Sequence, residues 1–239
     1  MKRDNPALAV NCVSPQGDDV FAHQVGEATD ESPASDSSPG KFRVLEGTSP
    51  ESAQIRAYVH ARVKKTYAGW DDEFDRSFDH HATWFCLSYG GAYLATCKLI
   101  FKTVAGETIK LPMELADRNP YVAMSGDAIE GSGLTFVHRE HLFVLMYHMG
   151  RWMKRHQCGR ITSIVDTRND ALQRIYQRAL GFQLDSHGVL SFRNFCHKDS
   201  GDPVDWQVIA LEPAFFWAEA NYTKLALRGA RLFGNSERT

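Results

Sequence analysis

Asp127-Ala128-Ile129-Glu130-Gly131-Ser132-Gly133-Leu134-Thr135-Phe136-Val137 opens the stretch that decides the fold, which runs on to Gly181-Phe182. It reads as strand, helix, strand, helix. Glycine weakens a strand interior unless a bulge or a close approach requires it, so the first strand carries two marked positions. A side-chain period of two puts Gly131 and Gly133 on one face, and Glu130 and Ser132 on the other. In the helix that follows, Leu142, Leu145, Met146, Met149, Trp152 and Met153 recur at three- and four-residue spacing as a core-facing stripe. Arg151, Lys154 and Arg155 form a basic stripe that ends near Gly159. Ile161 to Val165 alternates apolar and small polar residues as a short strand. Thr167 or Asn169 is placed to cap the next helix, in which Leu172, Ile175, Tyr176 and Ala179 share a face and which Gly181 stops.

Upstream, Lys41 to Leu45 suits a first strand, and Thr48-Ser49-Pro50-Glu51 has the form of a capping box with proline in the first turn. The helix it opens carries Ile55, Val59 and Val63 on one stripe. An acidic segment with interleaved aromatics, Trp70 to His81, then breaks the pattern. Either its phenylalanines pack inward and its acids are solvated or paired, or it is an entrance loop shaping a pocket. Ala82 to Tyr89 and Ala92 to Phe101 are two strands joined at Gly90-Gly91, a two-residue hairpin signal. Leu111 to Asn119 is loosely helical. Residues 187 to 195 and 204 to 211 read as a second antiparallel pair.

With Asn169, Ala171, Tyr176, Gly181 and Phe182 in place, the strand-helix ending resembles that of the GNAT superfamily of N-acyltransferases. The resemblance implies an α/β fold: a mixed, largely antiparallel central sheet flanked by helices. Asp75, Phe78-Asp79, Thr96-Cys97-Lys98-Leu99-Ile100, Leu111-Pro112 and Glu130-Gly131-Ser132 also resemble, in order and spacing, the acyl-homoserine-lactone synthases and N-acyl amino acid synthases. Those families carry a fatty acyl group from acyl carrier protein, or from acyl-CoA, to a small amine. Two departures point away from homoserine-lactone synthesis: Lys98 and Gly133 stand where the lactone synthases have arginine. Val137-His138-Arg139-Glu140-His141 replaces the glycine-rich pyrophosphate loop of ordinary GNAT enzymes, which points away from acetyl-CoA.

Composition sets the outer bounds. In 239 residues, 43% hydrophobic, one core is expected. Residues 1–40 hold seven acids against Lys2 and Arg3, and four of the nine prolines. They are expected to form a disordered acidic tail before an acyltransferase domain over 41–211. The segment 212–239 is amphipathic, and is expected to dock on the body or to make peripheral membrane contact. Five cysteines without CxxC spacing suit buried thiols rather than a disulfide, and no run approaches the roughly 18 apolar residues of a membrane helix. A cytoplasmic protein without nucleic-acid partners is the expectation.

An amine must be neutral to attack a thioester, and Glu130, beside an open glycine surface, is placed to take its proton. Tyr176, a phenol titrating near ~10 against ~8.5 for a thiol, is placed to protonate the leaving thiolate. Backbone donors around Gly131 to Gly133 are placed for the thioester carbonyl or the pantetheine arm. The resemblance implies Ser132 as a third catalytic group and Leu134, Arg139 and Asn169 as donor-binding residues. It also implies Trp70, Phe74, Asp75, Phe78, Asp79 and Lys98 as acceptor-binding residues. No tightly bound cofactor and no metal is expected; His138 and His141, one helical turn apart, lack a third ligand at diagnostic spacing. Two alternatives stand: a non-catalytic acyl-carrier or acyl-CoA binding module, and a conventional acetyl-CoA-dependent N-acetyltransferase. Catalysis predicts Glu130 and Tyr176 in one pocket; the binding module predicts one of them buried elsewhere.

Overall fold

The computed structural model of the chain describes residues 41–119 and 124–212. The expected acidic tail and nearly all of the amphipathic C-terminal segment lie outside the described residues. The first elements are β1 (Lys41–Glu46), α1 (Pro50–Thr66), β2 (Tyr67–Ala68) and α2 (Asp72–Arg76). The hairpin strands β3 (Ala82–Tyr89) and β4 (Ala92–Phe101) follow, then a small hairpin of β5 (Thr103–Val104) and β6 (Glu107–Thr108) that the sequence did not announce. The organising unit comprises β7 (Ile129–Phe136), α3 (Arg139–Arg155), β8 (Ile161–Asp166) and α4 (Asp170–Arg174), which widens into a π turn over Ile175–Leu180. The chain closes its sheet with β9 (Gln183–His197) and β10 (Pro203–Leu211).

Eight strands form one sheet in the order β1-β3-β4-β7-β8-β10-β9-β2, and β5 and β6 pair apart from it. Every pairing in the sheet is antiparallel except β7 with β8. Gly90 and Gly91, with φ of 54° and 81°, make the tight β3–β4 turn that right-twisted strands favour. One apolar layer lies between the sheet and α3 with α4, built on Leu99, Leu134, Phe136, Leu145, Met146 and Leu172. The other lies under α1 and joins Ile55, Val59 and Val63 to Trp84, Ile164 and Trp206. Both faces of β7 are therefore covered, and all eight of its residues are buried.

The α1 cap falls one residue later than the sequence suggested. Ser49 is the capping residue and accepts the Ser52 amide at 3.2 Å, with Pro50 in the first turn. Glu51 instead forms an ion pair with Arg43. At α4 the cap is Asn169, whose Oδ1 accepts the Leu172 amide at 3.0 Å.

Candidate active site

The site is built where β7 leaves β8. Their parallel ladder consists of Ile129 opposite Ile161 and Glu130 opposite Thr162, and no later pair of β7 and β8 residues is in register. The last link is a side chain: Ser163 Oγ donates to the Gly131 carbonyl at 2.8 Å. On its other edge β7 follows β4, with Lys98 opposite Ser132 and Thr96 opposite Thr135, and the register slips between them. That slip is a bulge, with Gly133 at φ +60°.

The bulge corrects the expected face of Gly133. A Cβ on Gly131 would meet Ile161 and Ser163, with Ile161 Cγ2 at 3.4 Å, whereas one on Gly133 would meet the Trp84 ring at 2.8 and 2.9 Å and Lys98 Cβ at 3.5 Å. The two glycines therefore face opposite sides of the sheet. Period-two alternation holds up to Ser132, and the inserted residue then turns Gly133 toward the α1 side and returns Leu134 to the α3 side.

On the α3 side lies a cavity with room for about one water molecule, about 20 Å³. Gly131, Ser132, Leu134, Met149, Tyr176 and Phe182 are among its walls. The π turn carries Tyr176 there, 3% exposed and edge-on to Phe182 at 4.9 Å between ring centroids. Cys97 also lines the cavity, and burial pushes its thiol up to about 12, which removes it as a nucleophile near neutral pH.

The α1 side is charged. Glu130 is 1% exposed, and its Oε2 accepts the Met113 amide at 3.0 Å. Burial pushes its carboxyl up to about 8, against the opposing pull of that hydrogen bond and of the Lys98 charge. Lys98, fully buried, donates to Asp75 and lies over the Trp84 ring, 5.2 Å from its centroid. Burial alone would raise the Asp75 carboxyl, but the Lys98 charge and the hydrogen bonds from His60 and Lys98 hold it at about 2. Met113 sits in a turn, Pro112–Leu115, tied by Glu114, which accepts the Leu111 amide at 2.7 Å, the Met124 amide at 2.8 Å and the Lys102 ammonium at 2.5 Å.

The structure thus gathers Glu130, Lys98 and Asp75 on one face, with Ser132 opposite Lys98 in register. The acidic segment is α2 and a 3₁₀ turn rather than an open loop. Phe74 and Phe78 pack inward at 5% and 4% exposure, with ring centroids 5.0 Å apart. Asp79 pairs with Arg56. Trp70 is half-buried against His60, at 4.6 Å between centroids. Tyr176 stands apart from this group, on the opposite face of the sheet, so Glu130 and Tyr176 do not share the one pocket expected for catalysis. Of the expected donor-binding residues, Gly131 and Leu134 line the cavity. Asn169 is occupied as a helix cap. Arg139 is an exposed side chain paired with Glu140 at 3.1 Å. His138 and His141 form a helix N-terminus, where the His138 amide donates to His141 Nδ1 at 3.3 Å. Sequence reasoning missed His60, Trp84, Ser163 and the Met113 amide. His60 lies one turn beyond Arg56, and a buried polar row beside the apolar stripe of α1 was the available signal.

No protein-family model matches the sequence, and no curated protein sequence matches it. Solved structures do. FeeM, an N-acyl amino acid synthase from uncultured soil microbes, is 18% identical with a TM-score of 0.51, over 75% of this chain and 94% of that one. MesI, a CoA-dependent acyl-homoserine lactone synthase, is 12% identical with a TM-score of 0.50, over 82% and 96%. BjaI, another such synthase, solved with SAM and isopentyl-CoA, is 12% identical with a TM-score of 0.50, over 80% and 90%. The chain has the fold of the GNAT superfamily.

Proposed function

We propose that this protein is an N-acyltransferase that moves a fatty acyl group from a pantetheine thioester to the amine of an amino acid or similar small molecule. The parting of β7 from β8 directly after Glu130 carries the proposal. It leaves the β8 edge of the strand without a ladder partner, with a small apolar cavity on one face and, on the other, a buried carboxyl that suits proton removal. The likeness to FeeM and to the lactone synthases supports the same reading.

In the reaction, the amine nitrogen forms a bond to the thioester carbonyl carbon and the C–S bond breaks. Glu130 takes one proton from the amine, directly or through a water, and Tyr176 gives one to the departing thiolate. Exchange with solvent restores both groups. A carboxyl near about 8 is a stronger base than an ordinary glutamate, at the expense of being mostly protonated below that pH. Backbone amides around Gly131 to Gly133 would polarise the carbonyl. Lys98, Asp75 and the aromatic wall of Trp70, Phe74 and Phe78 form the acceptor side.

A second reading rests on its own observation. Glu130 is buried on the face opposite Tyr176 and held by Met113, the arrangement expected of a module that binds an acyl carrier without turnover. The deciding experiment incubates the protein with acyl carrier protein or CoA thioesters of graded chain length and a panel of amino acids, then measures N-acyl products by mass spectrometry. N-acyl product from a long-chain donor, slowed by added salt when the donor is the acidic carrier, is the expected result. Thioester binding without product assigns the binding module, and product from acetyl-CoA alone assigns a conventional acetyltransferase.

A further inference from the structure

His60 has no part in the chemistry described so far, yet it sits at the junction of the buried charges. It projects from α1 toward α2, 7% exposed. Its Nε2 is 3.2 Å from Asp75 Oδ2 and its Nδ1 is 2.6 Å from Asp72 Oδ1. An ionised carboxylate only accepts, and a neutral imidazole has one N–H. Two carboxylate oxygens at the two ring nitrogens therefore require both nitrogens to be donors, an imidazolium, unless a carboxyl carries a proton. Asp75 is a carboxylate, held at about 2. Asp72 is half-exposed and takes a second cation, Lys64, at 3.0 Å. The groups facing His60 are then Asp72 and Asp75 from α2, with Lys64 behind the first and Lys98 behind the second. The Trp70 ring closes the remaining side.

The row continues inward. Asp75 binds Lys98 through Oδ1 and His60 through Oδ2, and Lys98 is the cation whose charge acts on Glu130. We propose that His60 is a positioning residue for acyl transfer: an imidazolium clamped between Asp72 and Asp75 that fixes the Lys98 ammonium beside Glu130 and so sets the protonation of that carboxyl. Removing its positive charge leaves Asp75 less compensated, and the more negative surroundings make the Glu130 proton harder to remove. The role assigned to Glu130 comes from the proposed function; the charge coupling does not depend on turnover.

The test uses the full chain. With ¹⁵N-labelled histidine, hydrogen bonds from both His60 ring nitrogens to carboxylates are expected, and a ring nitrogen without one overturns the proposal. The Glu130 titration is then followed by ¹³C NMR of its carboxyl, assigned with Glu130→Gln, in wild type, His60→Gln and His60→Arg. Loss of the charge is expected to move the Glu130 midpoint up by about half a pH unit or more, and arginine, which donates to two carboxylates at any pH, to restore it. A midpoint unchanged in folded His60→Gln makes His60 a packing residue and sinks the idea. Should His60→Gln fail to fold, the His60→Asn variant carries the same measurement. A wild-type protein that transfers no acyl group while showing the midpoint shift refutes the proposed function and leaves the coupling standing.

Discussion

The two faces of β7 differ in how they handle charge. Toward α3 the strand meets an apolar cavity in which a cysteine sits at about 12, and Tyr176 lines the wall. Toward α1 it meets Glu130 at about 8 and a row of buried charges through Lys98 and Asp75 to His60. Burial acts on both faces, but only one has opposite charges fixed within reach, so the α1 face holds Asp75 ionised while the Cys97 thiol, which donates to the Lys98 carbonyl, stays neutral. A thioester is neutral and apolar on its acyl side, whereas an amine acceptor brings protons and charge. In the proposed function the acyl side belongs to the first of these surroundings and the amine to the second, with β7 between them.

The comparison breaks most completely at Glu130. Glu130→Gln keeps the shape and removes the proposed base, so the proposed acyl transfer at neutral pH is expected to slow by about 10² to 10⁴ with folding intact. The wild-type rate is expected to rise with pH up to about 8 and the Gln variant to lose that rise. Stability gives an independent reading. The folded carboxyl sits near 8 against an ordinary 4.5, so the folded state keeps a proton that the unfolded chain releases between those values. Stability is full below about pH 4.5 and declines as the pH approaches 8. That decline, on the order of 4 kcal/mol at most, should be absent in Glu130→Gln when unfolding is measured by denaturant from pH 4 to 8. A fully active, folded Gln variant removes Glu130 from the mechanism.

Tyr176→Phe tests the opposite face. Removing the acid is expected to slow transfer by about 10² while leaving the pH dependence assigned to Glu130 unchanged. If both variants change the same limb of the rate–pH curve, the two faces are not separate. Lys98→Met strips the charged face of its central cation and leaves Asp75 buried without a lysine partner, a loss expected to be about 3–5 kcal/mol by denaturant unfolding. Asp75 is held at about 2 against an ordinary 3.8. It therefore contributes stability above about pH 4 that is lost as pH falls toward 2, and this acid limb should weaken in the Met variant.

The smallest test compares the glycines. A Cβ at Gly133 meets the Trp84 ring at 2.8 Å with φ at +60°, so Gly133→Ala is expected to lose about 1–3 kcal/mol. Gly131 has ordinary φ and meets Ile161 at 3.4 Å, so Gly131→Ala should stay within about 1 kcal/mol. Equal effects at the two positions would mean that they face alike.

Much of the fold was legible because its signals are local. Gly90-Gly91 marked the hairpin, the spacing from Leu142 to Met153 marked α3, and Gly181, at φ +80°, marked the end of the second helix. Trp152, read as core, is half-buried, edge-on to Phe85 at 5.1 Å and stacked on His156 at 3.9 Å. Strand β9, expected over 187 to 195, runs from Gln183 to His197, because β2 and β10 supply pairing partners for its ends that pattern alone did not reveal. The candidate site was legible by residue type and less so by arrangement. Glu130 and Lys98 were singled out, but His60 and the Met113 amide reach the site only through α1 and a turn far away in sequence.

The sequence by itself determined the order of strands and helices, the apolar stripes that cover both faces of the sheet, and a carboxylate and a tyrosine on the two halves of one strand-helix unit. These follow from backbone periodicity and capping, which act over a few residues. Tertiary structure decided which way Gly133 faces, that Tyr176 and Glu130 lie on opposite sides, and that Glu130 titrates near 8. A bulge is set by the partner strand's register, and a pKa by the burial and charges that distant segments bring, so neither is written in the residues nearby.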